Sequence, residues 1–160
     1  MIKKIFIILI ISLIFNVHSN AAGTSSESDN KSDYDKAVTL IKSAKRFEKK
    51  GKNDKALVRY EKAQKLLIKS NNEKPLQADT LNYLGFSTRK LGDFENGEKY
   101  YLLGLEIDPT HIGINEYLGE LYVATQRIDL AKERLEVLKN CNCEEFQELK
   151  EIIDGTKTTK

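Results

Sequence analysis

Few residues in this 160-residue sequence are equipped for covalent or acid–base chemistry. Cys141 and Cys143 are its two cysteines, and they stand two residues apart in the run Asn140-Cys141-Asn142-Cys143-Glu144-Glu145. Cysteines this close can bridge only through a tight turn, and oxidising conditions would favour that outcome. Cys143 would also fall in the first turn of a following helix, whose dipole favours a thiolate, although Glu144 and Glu145 push the other way. Two thiolates could hold a soft ion such as Cu(I), but no third ligand stands nearby. Three readings remain open for Cys141 and Cys143: a small disulfide locking the start of the last helix, an unremarkable pair of thiols, and a metal or redox site.

Histidine is just as scarce, with only His18 and His111. His18 lies in a segment that reads as removable, and His111 falls in a turn just after Asp108-Pro109, where a structural or solvated role is expected. Glu116 and Glu120 are one helical turn apart and could share a proton. On an exposed helix such a pair serves solubility instead. There is no H-E-x-x-H, no G-x-S-x-G, no phosphate-cradling G-x-x-x-x-G-K and no dinucleotide fingerprint after a strand. Lacking a convergent set of titrating groups, the chain is not read as an enzyme, and no catalytic residue, cofactor or metal is assigned.

The elements that hold these residues follow from the pattern of the chain. Met1-Ile2-Lys3-Lys4 is a short cationic start, followed by the apolar stretch Ile5 to Val17 and the small polar residues Ser19-Asn20-Ala21-Ala22. That is the layout of a secretory signal, assigned to residues 1–21. The apolar stretch is shorter than the roughly 20 residues a membrane-spanning helix needs, so no membrane association is expected after cleavage. Removing Lys3 and Lys4 leaves 24 basic against 24 acidic side chains, so the net charge of +2 belongs to the signal. A formally neutral remainder gives no support to a nucleic-acid partner, which would want a clustered basic excess. Residues 22–32 have almost nothing apolar to bury and read as a flexible leader. Richness in Ile, Lys and Asn points to a bacterial source, with the periplasm as the expected destination and full secretion as the variant of it.

Residues 33–154 form one domain's worth of chain, and they carry an internal repeat. Leu84-Gly85 and Leu118-Gly119 are 34 residues apart, as are Gly97 and Ala131, and Tyr101 and Leu135. The first of these units reads Leu81-x2-Leu84-Gly85-x2-Thr88, then Leu91-Gly92-Asp93-Phe94, Gly97-x3-Tyr101-x2-Gly104 and Asp108-Pro109. This resembles the tetratricopeptide repeat in both period and pattern. The next unit keeps Leu118-Gly119-x2-Tyr122 and Ala131-x3-Leu135 but has Gln126 where the inter-helix turn usually has glycine, and it lacks the closing proline. An earlier, more degenerate unit runs through Leu40, Ala44, Phe47, Gly51, Ala56-x3-Tyr60 and Ala63. Ala56 precedes Gly97 by 41 residues, which places about seven extra residues near Ser70–Pro75. Units are therefore expected over about 37–70, 78–111 and 112–141. A capping helix over 143–154 would start from an Asn142-x-x-Glu145 capping box, and 155–160 would be a frayed tail.

Apolar residues recur at three and four spacing in each unit, as in Ala56, Tyr60, Ala63 and Leu67, so each reads as a helix hairpin. Small residues at Gly85, Gly119, Gly97 and Ala131 would let paired helices approach, with Tyr60, Tyr101 and Leu135 filling the space between them. The expected fold is all-α, a right-handed superhelix of about three hairpins plus the cap. What the resemblance implies for function is a concave groove, lined by the first helix of each hairpin, that holds a protein or peptide. Carried onto this chain, the groove-facing pattern selects Ile41, Lys45, Glu48 and Lys49, then Asn82, Phe86, Arg89 and Lys90, then Glu116, Glu120 and Val123. Phe86 would be an apolar anchor beside hydrogen-bond donors. The set that family members use to clamp a chaperone's terminal carboxylate is not reproduced, because Ile41, Tyr83, Gly113 and Tyr117 occupy key places. An exported adaptor is thus the leading expectation, and a thiol-dependent redox or metal-handling protein the alternative.

Overall fold

The computed structural model describes residues 31–159, and among them lie seven α-helices and no strand. These are α1 (Asp33–Glu48), α2 (Asn53–Glu73), α3 (Ala78–Lys90), α4 (Phe94–Ile107), α5 (Ile112–Ala124), α6 (Ile128–Leu138) and α7 (Glu144–Ile153). Three hairpins pair α1 with α2, α3 with α4 and α5 with α6, and α7 packs on the last of them. The signal expected over 1–21 lies outside the described residues, as does the leader apart from Lys31 and Ser32.

Local chemistry sets the helix ends. Ser32 caps α1 by accepting the Asp35 N–H at 3.1 Å, and Asp93 caps α4 by accepting the Asn96 N–H at 3.1 Å. Gly51 and Gly92 end α1 and α3 with φ of 66° and 93°, left-handed values that glycine adopts without a Cβ clash. The corresponding turn after α5 puts Gln126 at φ 62°, so the departure noted in the sequence is also a departure in cost. At α7 the expected capping box is not formed. Cys143 is the N-cap and makes no side-chain bond there, while Asn142 takes a left-handed φ of 50° in the turn before it. The extra residues between the first two units also differ from expectation. They lengthen α2, which has 21 residues against 14 in α4, and the connection to α3 stays short. Ser70–Glu73 simply continue the α2 helix, since nothing before Pro75 interrupts it.

Packing explains the small residues. A Cβ on Gly85 would sit 2.5 Å from the Tyr101 ring, so α3 and α4 can touch only because none is there. At the third hairpin, the residue over Gly119 is Leu149 of α7, within 2.6 Å of where its Cβ would be. Leu135, expected to fill that space, is only half-buried. The physical reason is that α6 is short and buries only Ala131 and Leu138, so the capping helix supplies the missing apolar mass. α3 and α5 are covered on both sides and bury polar residues as well as apolar ones. Glu116 and Glu120 are 2% and 0% exposed, which overturns their reading as solubilising residues.

Candidate functional site

The inner helices α1, α3 and α5 pack in sequence order, α1 on α3 and α3 on α5, with α7 beyond α5. Between them lies a cleft of about 520 Å³. One wall comes from Lys45 and Glu48 of α1 and Lys49 at its C-cap, and Phe86 of α3 with Glu116 and Tyr117 of α5 forms the base. The facing wall is Glu144, Glu145 and Glu148 of α7, with Lys157 beyond it. Three- and four-residue spacing from Lys45 to Glu48 and Lys49, and from Glu144 and Glu145 to Glu148, brings the side chains of each wall to one face.

The base is aromatic and tightly partnered. Phe86 meets Tyr60 edge-on at 5.7 Å and lies tilted against Tyr117 at 4.8 Å. The Lys45 ammonium sits 4.5 Å from the Phe86 ring centre and donates to the Tyr117 hydroxyl at 2.9 Å. Tyr60 donates to Glu48 Oε2 at 2.8 Å, and the other Glu48 oxygen pairs with Lys90. Burial, and then the bond to Glu48, push the Tyr60 hydroxyl well above the ordinary phenol range, so it stays a donor. The result is a pre-ordered, amphipathic surface.

Lys45, Lys49, Phe86 and Glu116, all expected in the groove, line this cleft, but Phe86 and Glu116 are buried beneath its surface, so Phe86 is not the exposed anchor expected. Others are placed differently. Arg89 and Glu120 form an ion pair at 3.1 Å, with side chains 3% and 0% exposed, linking α3 to α5 outside the lining of the cleft. Burial opposes the Arg89 charge, while the neighbouring Tyr101 and Glu120 favour it. Asn82 is buried against Gly113, whose absent Cβ would lie 2.8 Å from its Nδ2. Lys90 lies at the side, held by Glu48, and Ile41 belongs to the core. Val123 is half-buried.

The acidic wall of α7 and Tyr117 were missed by sequence reasoning. The signal for α7 was its helix pattern with Phe146, Leu149, Ile152 and Ile153 on one face, which leaves Glu144, Glu145 and Glu148 beside the neighbouring hairpin and not wholly in solvent. Tyr117 was noticed only as a departure from the carboxylate-binding set.

A second, more open depression of about 600 Å³ lies at the N-terminal ends of α1 and α3 and includes Tyr34, Asp79 and His111. Tyr34 packs edge-on against Tyr83 at 5.9 Å, and burial, with Asp79 next, pushes its hydroxyl up to about 12. His111 is the N-cap of α5: its Nδ1 accepts the Ile114 N–H at 3.2 Å and its Nε2 faces Asp79 at 3.1 Å. The first contact requires an unprotonated Nδ1, which leaves Nε2–H to donate to Asp79.

Cys141 and Cys143 are joined by a disulfide, with Cα atoms 5.2 Å apart, in the turn between α6 and α7. Among the described residues no three His, Cys, Asp or Glu side chains converge as metal ligands would, and no helix is long and apolar enough to cross a membrane.

No protein-family model and no curated protein sequence matches the chain. Solved structures do. The first tetratricopeptide domain of Spaghetti (RPAP3) bound to the HSP90 peptide SRMEEVD aligns with a TM-score of 0.53 at 21% identity, over 77% of this chain and 94% of that one. The first such domain of human RPAP3 aligns with a TM-score of 0.53 at 18% identity, over 75% of this chain and 94% of that one. Likeness at this level of identity concerns the fold. Together with the three stacked hairpins and the 34-residue return of Leu84-Gly85 as Leu118-Gly119, it shows that the chain has the tetratricopeptide-repeat fold.

Proposed function

We propose that the chain is an exported adaptor that holds an extended segment of a partner protein in the cleft between α1, α3, α5 and α7. The observation that carries this reading is the built cleft: an ordered aromatic base of Phe86 and Tyr117 between a cationic wall on α1 and an anionic wall on α7. Tyr117, half-buried, hydrogen-bonded to Lys45 and packed on the fully buried Phe86, supplies contact area at the base, and opposed charged walls supply register and orientation more than raw affinity. The RPAP3 domain was solved with an HSP90 peptide bound, which supports peptide capture by this fold. Ile41, Tyr83, Gly113 and Tyr117 occupy places where the resemblance implies a carboxylate-clamping set, so the ligand proposed here is a different one. Lys45 also stands against Phe86 and Tyr117, in contact with the base. Export to the periplasm rests on the N-terminal pattern of residues 1–21.

Phe86 is fully buried, so Phe86→Ala would report stability as well as binding. Better probes are Lys49→Glu on one wall and Glu145→Lys on the other, with Lys132→Glu on α6 as a control outside the cleft. In crosslinking and mass spectrometry from the native cell envelope, both wall variants should lower recovery of the same partner by about fivefold, the scale of one partly exposed charge pair. The control should not. Unchanged recovery with both wall variants would remove the groove from the reading, and detection of the chain only in the cytoplasm would remove the exported part.

A further inference from the structure

The segment after α7 does not leave the molecule. Gly155 takes a φ of 73°, and the Thr156 and Lys157 N–H groups donate to the Glu151 carbonyl at 2.9 and 3.2 Å, turning the chain back over the end of the helix. Lys157 Nζ then lies 2.7 Å from Glu148 and 4.0 Å from Glu151. From there it lines the cleft that Lys45 and Phe86 also line. Two residues further, Thr159 lines a small depression of about 250 Å³ with Arg89, Lys90, Phe94 and Ala124. The segment therefore leaves Lys157 in the wall of the cleft and takes Thr159 to a separate depression by the ends of α3 and α5.

Its composition suits a removable occupant. Gly155-Thr156-Lys157-Thr158-Thr159 has no apolar side chain to anchor it, so charge and hydrogen bonds must hold it. The Lys157 side chain is 38% exposed, and an ion pair that wet is weak. Being part of the same chain, the segment nevertheless competes at a high effective concentration.

We infer that Lys157 is a built-in cover on the Glu148 carboxylate in the wall of the partner cleft, and that the partner which displaces it is an extended segment whose lysine or arginine takes its place on Glu148. This rests on the groove reading above and places a basic residue of the ligand at the α7 wall, with an acidic one left for Lys49 across the cleft. A partner must then overcome the closed fraction, so its apparent affinity falls by the fraction of molecules that are open.

The test uses the full chain and a fluorescein-labelled synthetic peptide, Asp-Gly-Thr-Lys-Thr-Thr-Lys, with a control peptide carrying Glu at the first Lys. By fluorescence anisotropy the peptide should bind the Lys157→Glu chain about five- to tenfold more tightly than the native chain, and the control peptide should bind neither. In parallel, heteronuclear NOE values for Thr156–Thr159 should fall in Lys157→Glu and recover in the Glu148→Lys, Lys157→Glu double variant. Equal peptide affinity for native and variant chains, binding of the control peptide, or unchanged NOE values would each overturn the inference. The groove reading has its own separate test in partner recovery with Lys49→Glu, so failure of one is not failure of the other.

Discussion

Arg89 and Glu120 are 31 residues apart in sequence and meet between α3 and α5 with almost no exposed surface. Desolvating two charges is costly, and their attraction offsets that cost only while both are present. Glu120→Gln should therefore lower stability by about 3–5 kcal/mol in urea unfolding, because the Arg89 charge stays buried without its counterion. Arg89→Met together with Glu120→Leu should be close to neutral or more stable, an outcome that pairwise attraction alone would not produce. The same residues mark the limit of what the sequence could say at this scale. The groove-facing pattern that the resemblance implies places Asn82, Phe86, Arg89, Glu116 and Glu120 on the inner faces of their helices, but it does not say whether a neighbouring repeat covers that face. Coverage depends on how far the hairpins slide together, which is set by Gly85, Gly113 and Gly119 and by the side chains that fill the space over them. Lys45 and Lys49, nearer the edge of α1, stay at the cleft wall, whereas the residues one helix further in become its foundation.

At the scale of single elements, the hairpin pattern was legible because it comes from local spacing, and the ends were less so because they come from particular bonds. The period located the seven extra residues but could not tell a longer loop from a longer helix, and α2 absorbs them as two more turns. The turn after α5 keeps Gln126 left-handed where the two earlier hairpins have glycine. Gln126→Gly should raise stability by up to about 1 kcal/mol, the left-handed penalty less the entropy glycine adds to the unfolded chain, measured as a shift in the urea midpoint. Asp93 gives a test with pH. The Asn96 side chain and then the Asn96 backbone N–H bond to its carboxylate and hold its pKa below the ordinary 3.8. A depressed folded value means the carboxylate adds stability above the unfolded pKa, and this is lost as pH falls through the folded one. Asp93→Asn keeps an acceptor at the N-cap but does not titrate. The stability difference between wild type and Asp93→Asn should thus shrink as pH drops from 5 toward 2, followed by thermal midpoint, and a constant difference would remove the charge from the account.

For the whole molecule, contacts run between neighbours along the chain, so stability should be distributed along the array and not held in one centre. The C-terminal end is the thinner one. α6 buries only Ala131 and Leu138, and α5 relies on α7 to close over Gly119 through Leu149. The disulfide between Cys141 and Cys143 spans only two residues of separation and fixes the turn before α7. Closing so short a loop removes little unfolded-state entropy. Apolar packing is therefore what keeps α7, and with it the acidic wall of the cleft, in place. Leu149→Ala leaves a cavity over Gly119 and should cost about 2–5 kcal/mol there. Because coupling passes only to the adjacent hairpin, hydrogen exchange should quicken through α5, α6 and α7 while α1 and α2 keep their protection. Reduction of the disulfide alone should produce a much smaller change in the same region. Uniform loss of protection from α1 to α7 would mean that the molecule opens as a single unit, and the cleft could then not lose its α7 wall while α1 and α3 remained folded.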